Sequence, residues 1–165
     1  MNPKRARLPD DLAHNCGYLL SQLGFRSRSR FTEAIAPLGI RPAHYGILSV
    51  LMESGPITQA ELAGALRLDS GWLVGLLDEL EAEGLVVRAP DPVDRRRHAV
   101  SLTPAGRRRR QQPTRVGRHV EDEVLRSLAP EEREELRRLL RRLWSEYCRQ
   151  ATRVGSVLSR RTRRR

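Results

Sequence analysis

Residues 84–106 read GLVVRAPDPVDRRRHAVSLTPAG, and this stretch decides the fold. Two β-prone runs, Leu85–Arg88 and His98–Thr103, flank a connection broken by Pro90 and Pro92. His98, Val100 and Leu102 alternate onto one side of the second run, the period of a half-buried strand. The prolines exclude the connection from regular pairing. Its far end is Asp94-Arg95-Arg96-Arg97, so the predicted element is a cationic β-hairpin.

The hairpin follows two short helical patterns. Thr58-Gln59-Ala60-Glu61 is a capping box, in which the Thr hydroxyl serves an orphan N–H and the Glu reaches back to the cap. It opens a helix to about Leu66, with Leu62 and Leu66 inward. Asp69 caps the next helix, about 70–83, where Leu73, Leu76, Leu77 and Leu80 form one buried face and Gly84 ends it. Two capped helices separated by Arg67-Leu68 are a helix-turn-helix candidate, and a cationic hairpin hung on one is a shape that holds duplex DNA.

Outward from this unit, Pro42 fits the first turn of a helix over about 42–54 that carries Tyr45, Ile47, Leu48 and Leu51. Residues 8–37 are expected to form one long helix on Leu12, Leu19, Leu20, Leu23 and Phe31, stopping at Gly39. Downstream, Thr103-Pro104 reads as the cap and first-turn proline of a basic helix through Arg107–Arg110, which Pro113 is expected to kink or interrupt. Pro130-Glu131-Glu132 opens a last helix with the apolar row Leu136, Leu139, Leu140, Leu143, Trp144 and Tyr147. The terminal SRRTRRR has no apolar content and reads as disordered. The expected fold class is mainly α with a small β-hairpin. A helix over 1–40 forms part of a dimerisation region, the winged helix-turn-helix lobe spans 41–103, dimerisation helices span 104–155, and a basic tail covers 156–165.

The 165-residue chain carries a net charge of +11, which points to a polyanionic partner. The charge is uneven: +4 over 1–50, −6 over 51–85, +8 over 86–120 and +5 over 121–165. Phosphate attraction therefore concentrates at the hairpin and beyond. No apolar run reaches membrane length, and the N-terminus lacks the apolar core of a signal peptide. Cys16 and Cys148 lie far apart and make no metal-like or redox pair, which suits reduced thiols in a cytoplasmic protein. His14, His44, His98 and His119 are scattered, and no metal or other cofactor is expected. No glycine-rich phosphate loop, nucleophile elbow or paired-carboxylate motif appears, so an enzyme is not expected.

Three segments carry a family resemblance: ITQAELAGALRLDSGWLVGLLDELEAEGLVVR, then DPVDRRRHAVSLTPAG, then the Leu-rich helix after APEERE. Over about residues 10–150 they resemble the MarR family of winged helix-turn-helix regulators. The wing motif, D-x-R followed by V-x-LT-x-x-G, is the specific part. The resemblance implies a homodimer interlocked by first and last helices, with the helix after Asp69 in the major groove and the wing in the adjacent minor groove. It also implies that Asp94 pairs with Arg96 to stiffen the wing, and that Arg95, Arg96 and Arg97 grip double-stranded DNA.

Similar proteins often carry small polar residues where this chain has Trp72, Val74 and Gly75. Ser70, Gln59 and Arg67 are the nearby hydrogen-bonding groups, and Trp72 either meets thymine methyls or fills the domain surface. A pocket for a small aromatic or other hydrophobic ligand is implied as well. Tyr18, Phe25, His44 and Tyr45 would line it, although each also fits a core position. The expected function is a ligand-responsive repressor of a pseudo-palindromic operator. One alternative is a non-specific basic nucleic-acid binder. Another is a redox-sensing regulator using Cys16, although Tyr18-Leu19-Leu20 aligns Gly17 with the sensors' cysteine, and Phe31 and Pro42 stand where their tyrosine partners would lie.

Overall fold

The computed structural model describes residues 8–90 and 98–162, with residues from 149 onward and His98 described by backbone alone. The chain forms two compact units, Met1–Glu121 and Asp122–Arg165. In the first, α1 (Asp10–Ala13) and α2 (Cys16–Ile35) are followed by a 3₁₀ turn, Ala36–Leu38, and by α3 (Pro42–Ser54). Then come β1 (Ile57–Thr58), α4 (Gln59–Leu66), α5 (Ser70–Ala82), β2 (Val86–Pro90) and β3 (His98–Leu102). Helix α6 (Pro104–Val124) crosses into the second unit, which is completed by α7 (Pro130–Thr162).

The helix-turn-helix forms where its caps place it. Thr58 and Glu61 make both halves of the capping box, and the Asp69 carboxylate accepts from the N–H groups of Gly71 and Trp72. Arg67 closes α4 at φ 53°, a left-handed conformation costly for a side chain with a Cβ. Gly84, at φ 67°, reverses the chain after α5 and sends it into β2. Leu73, Leu76, Leu77 and Leu80 of α5 pack with Ile47, Leu48 and Leu51 of α3 and with Val86 and Val100 of the sheet. This is the aliphatic core that a 4% aromatic content requires.

Several expectations are corrected. The helix predicted over 8–37 breaks at His14-Asn15, because Asn15 is extended and its side chain caps α2 by accepting from Tyr18 N–H. Asn competes with the helical backbone for such bonds and so favours a cap over a helix interior. The hairpin gains a third strand, in the antiparallel order β1-β3-β2, through Ile57 opposite Val100 and Thr58 opposite Ala99. Two residues are too few to show a strand period. Pro90 is part of β2 and stands opposite His98; β2 is an edge strand, where a missing N–H is tolerated. Pro113 lies inside α6 without ending it, and its ring is buried. Helix α7 runs from Pro130 through Thr162.

The LT-x-x-G part of the wing motif is architectural. Thr103 Oγ1 accepts from Gly106 N–H at 3.0 Å and donates to the carbonyl of Gly84 at 2.7 Å, joining β3, α6 and the end of α5. A Cβ on Gly106 would stand 2.0 Å from the carbonyl oxygen of Leu85. The LT-x-x-G segment is therefore the joint at which the hairpin meets α6.

Candidate nucleic-acid interface

The solvent face of α5 is set by its apolar row. With four leucines turned inward, Ser70, Trp72, Val74 and Gly75 point out; Trp72 is 54% and Val74 42% exposed. Nothing lies within 4 Å of where a Gly75 Cβ would be, so the helix backbone is open to close approach there. Two large apolar side chains exposed beside small residues offer contact to thymine methyls and sugar, and Ser70 offers a hydroxyl. The Asp69 carboxylate caps α5 through the N–H groups of Gly71 and Trp72, so an anion approaching that terminus would meet a negative charge.

The acids in the later turns of α5 have partners. Asp78 pairs with Arg88 Nη1 at 2.7 Å and Glu81 with the same nitrogen at 3.1 Å. Glu79 pairs with Arg41, the residue that precedes α3, and lies 2.9 Å from His44 Nε2. Arg41 Nη2 is also 2.9 Å from that ring nitrogen. Burial first, and then the adjacent Arg41, hold the His44 pKa below its ordinary 6.5, against an opposing pull from Glu83. Three carboxylates are thus tied to guanidinium groups contributed from outside the acidic 51–85 segment. Arg41 and Arg88 are the functional candidates that sequence reading missed.

Gln59 is half-buried at the first position of α4, Ser70 is exposed at the first position of α5, and Arg67 is exposed in the turn between them. These three and Trp72 belong to one helix-turn-helix. Asp94, Arg95, Arg96 and Arg97 lie outside the described residues. The four pocket candidates occupy separate settings. His44 is buried against α5 as above. Tyr45 packs at a tilt against Phe31, 5.3 Å between ring centres, with its hydroxyl 3.4 Å from Thr114 Oγ1. Phe25 is 73% exposed on α2, and Tyr18 is half-buried in the first turn of α2.

The basic run of α6 is mostly spent on the fold. Arg109 donates to the carbonyls of Leu38 and Gly39, Arg110 Nε donates to Ser49 Oγ at 3.1 Å, and Arg107 reaches Met52 Sδ at 3.7 Å. Arg108 instead lines an open groove of about 480 Å³ with Arg115, Gln111, Gln112, Leu85 and Ala105. Cys16 is exposed at the start of α2, and Cys148, in α7, is half-buried; neither is in a disulfide. Among the described residues, no group of three or more His, Cys, Asp or Glu could hold a metal ion, and no helix is long and apolar enough to cross a membrane.

Comparison with known proteins gives this geometry a family. A MarR family model matches residues 38–97, from the 3₁₀ turn to the wing. The HTH-type transcriptional repressor NicR of Pseudomonas putida is 33% identical over 98 residues, 59% of this chain and 62% of NicR. The chain spans about three-fifths of the length of two curated relatives, NicR among them. The crystal structure of CouR from Rhodococcus jostii RHA1 bound to p-coumaroyl-CoA superposes with a TM-score of 0.71 at 31% identity, covering 80% of this chain and 93% of that one. The multiple antibiotic resistance protein MarR of Escherichia coli is 30% identical over 128 residues, which is 77% of this chain and 89% of that protein. With a relative matched across nearly its whole length and the winged helix-turn-helix in place, this chain belongs to the MarR family.

Proposed function

We propose that this protein is a sequence-specific DNA-binding transcriptional repressor, acting as a homodimer on a pseudo-palindromic operator and released by a small ligand. The observation that carries the reading is the outward face of α5. Ser70, Trp72, Val74 and Gly75 are presented to solvent, while Asp78, Glu79 and Glu81 are held in ion pairs with Arg41 and Arg88. A face so arranged can enter a major groove with its carboxylates already compensated. Arg95, Arg96 and Arg97 then supply the minor-groove and phosphate grip, and Asp94 aims Arg96.

Homodimer formation is supported by exposed apolar rows. On α7, Leu139, Leu140, Leu143, Trp144 and Tyr147 are 40–58% exposed, and on α2 Leu20, Leu23 and Phe25 are exposed as well. Apolar rows of this length on charged helices fit a self-complementary interface. Ligand response is supported by CouR, whose structure contains p-coumaroyl-CoA. In this chain, the α6 groove combines the apolar Leu85 and Ala105 with the guanidinium groups of Arg108 and Arg115, a lining that suits an aromatic acid. Leu85 lies between Gly84 and β2, so a ligand seated there would bear on the joint between α5 and the wing.

The test is a binding series on one operator duplex and its variants. Arg96→Ala weakens binding to every sequence and lowers the slope of log K against log salt by about one. Ser70→Ala and Trp72→Ala change the preference among operator variants. Unchanged affinity and slope for Arg96→Ala, with unchanged preference for both α5 variants, would remove the reading.

A further inference from the structure

We propose that Arg88 is a positioning residue that locks α5 and the wing into one register, so that the two elements engage DNA as a single rigid reader. The proposal rests on the reading of α5 and the wing as the DNA-contacting elements. Arg88 lies on β2 opposite Val100 of β3, at the root of the hairpin. Its backbone N–H donates to Glu81 Oε1 at 3.1 Å, and its Nη1 donates to Glu81 Oε2 at 3.1 Å. The same Nη1 is 2.7 Å from Asp78 Oδ1, and Nη2 donates to the carbonyl of Val74 at 3.3 Å. Val74, Asp78 and Glu81 follow i, i+4, i+7 spacing, so one side chain from the wing strand runs along more than a turn of the helix. Both the main chain and the side chain of Arg88 hold α5. A slide of the hairpin by one residue would break all of these contacts together.

Stability alone is a poor reason for this arrangement. The Arg88 side chain is 21% exposed, and its Nε–H is buried with no acceptor. Asp78 and Glu81, at 58% and 38% exposed, remain well solvated and gain little from pairing. A mostly buried guanidinium with one orphaned donor is a weak source of stability compared with an apolar side chain of similar size. What the cluster does supply is direction, because a planar fork with fixed donors accepts one placement of its three partners. Val74 is also half-exposed on the outward face of α5, so the Arg88 contacts border the surface that would enter the groove.

The experiment uses the full chain and a duplex selected for tight binding, with a scrambled duplex beside it. A double-substitution cycle between Trp72→Ala and Arg96→Ala, run with and without Arg88→Met, reads the coupling between helix and wing. In the parent, the two changes interact; with Arg88→Met, they become additive, and operator-over-scrambled discrimination falls about tenfold, within the range for coupled neighbours. The thermal midpoint of Arg88→Met stays near the parent's, and Arg88→Lys, which keeps charge but not the fork, recovers part of the discrimination. An equal loss on both duplexes, with discrimination unchanged, would leave Arg88 only as the counter-charge of Asp78 and Glu81 and overturn the proposal, as would coupling that survives the substitution. Should Arg88→Met fail to fold, Asp78→Ala with Glu81→Ala removes the side-chain acceptors of the same contacts and must also lose discrimination. If Trp72→Ala and Arg96→Ala each leave parent affinity unchanged, the underlying DNA-contact reading fails and takes this one with it. If each weakens binding but they add independently in the parent, the register lock alone is overturned.

Discussion

Replacing Gly106 by Ala should be among the most damaging single-methyl additions in the domain. An added Cβ would lie 2.0 Å from the Leu85 carbonyl oxygen, 3.0 Å from its carbon and 3.1 Å from a Leu102 methyl. The oxygen must therefore retreat by more than an ångström, and it is an acceptor that the joint needs. It takes the Thr103 N–H at 3.1 Å and lies 3.2 Å from Thr103 Oγ1. Overpacking of this kind costs about 1–3 kcal/mol, and each lost hydrogen bond adds about 1 kcal/mol. A total near 3 kcal/mol lowers the thermal midpoint of a chain this size by about 6–12 °C. Helical circular dichroism followed through thermal unfolding, at one fixed protein concentration, reads the shift. Gly64→Ala is the internal control: nothing lies within 4 Å of its Cβ, so the same chemical change in α4 should stabilise by about 0.5–1 kcal/mol. A Gly106→Ala midpoint within about 2 °C of the parent, a range worth no more than about 1 kcal/mol, would refute the close-approach argument.

Three further outcomes are expected. Arg67→Gly relieves the left-handed turn at φ 53° and raises stability by about 0.5–1 kcal/mol, read from urea midpoints, while operator affinity falls. His44 is held below 6.5 in the folded chain, so the unfolded chain binds a proton there more readily. Stability is therefore full above pH 6.5 and declines as the pH falls below it; His44→Phe flattens the change in urea midpoint between about pH 7.5 and 5.5. Leu143→Glu with Trp144→Glu places charge in the exposed row of α7 and shifts sedimentation from dimer towards monomer with helix content retained.

The parts of the fold legible in the sequence are those that carry their own punctuation. Thr58 with Glu61, Asp69 and Thr103 satisfy helix starts through local bonds, while Pro42 and Gly84 mark a start and a stop through their own φ preferences. Asn15 escaped notice because the leucine spacing continues on either side of it, and periodicity alone does not show a cap in the middle of a pattern. Strand β1 exists through its partner β3 and has no signature of its own. The ion pairs of the α5 acids were not legible, because their partners arrive from Arg41 and Arg88 through tertiary packing. The Arg107–Arg110 run showed the converse. Its composition shows only a basic helix, yet Arg109 and Arg110 reach back to Leu38, Gly39 and Ser49 and hold α6 to its own domain.

The central claim is that two copies of α5 and its wing read sequence together. Selection of bound duplexes from a random pool, using the full chain at physiological salt, tests it most directly. The account predicts an enriched pseudo-palindrome whose half-sites are centred about one helical turn apart, bound roughly a thousandfold or more tighter than scrambled duplex. A selected pool bound no better than the starting one would contradict it and leave a non-specific basic binder in its place.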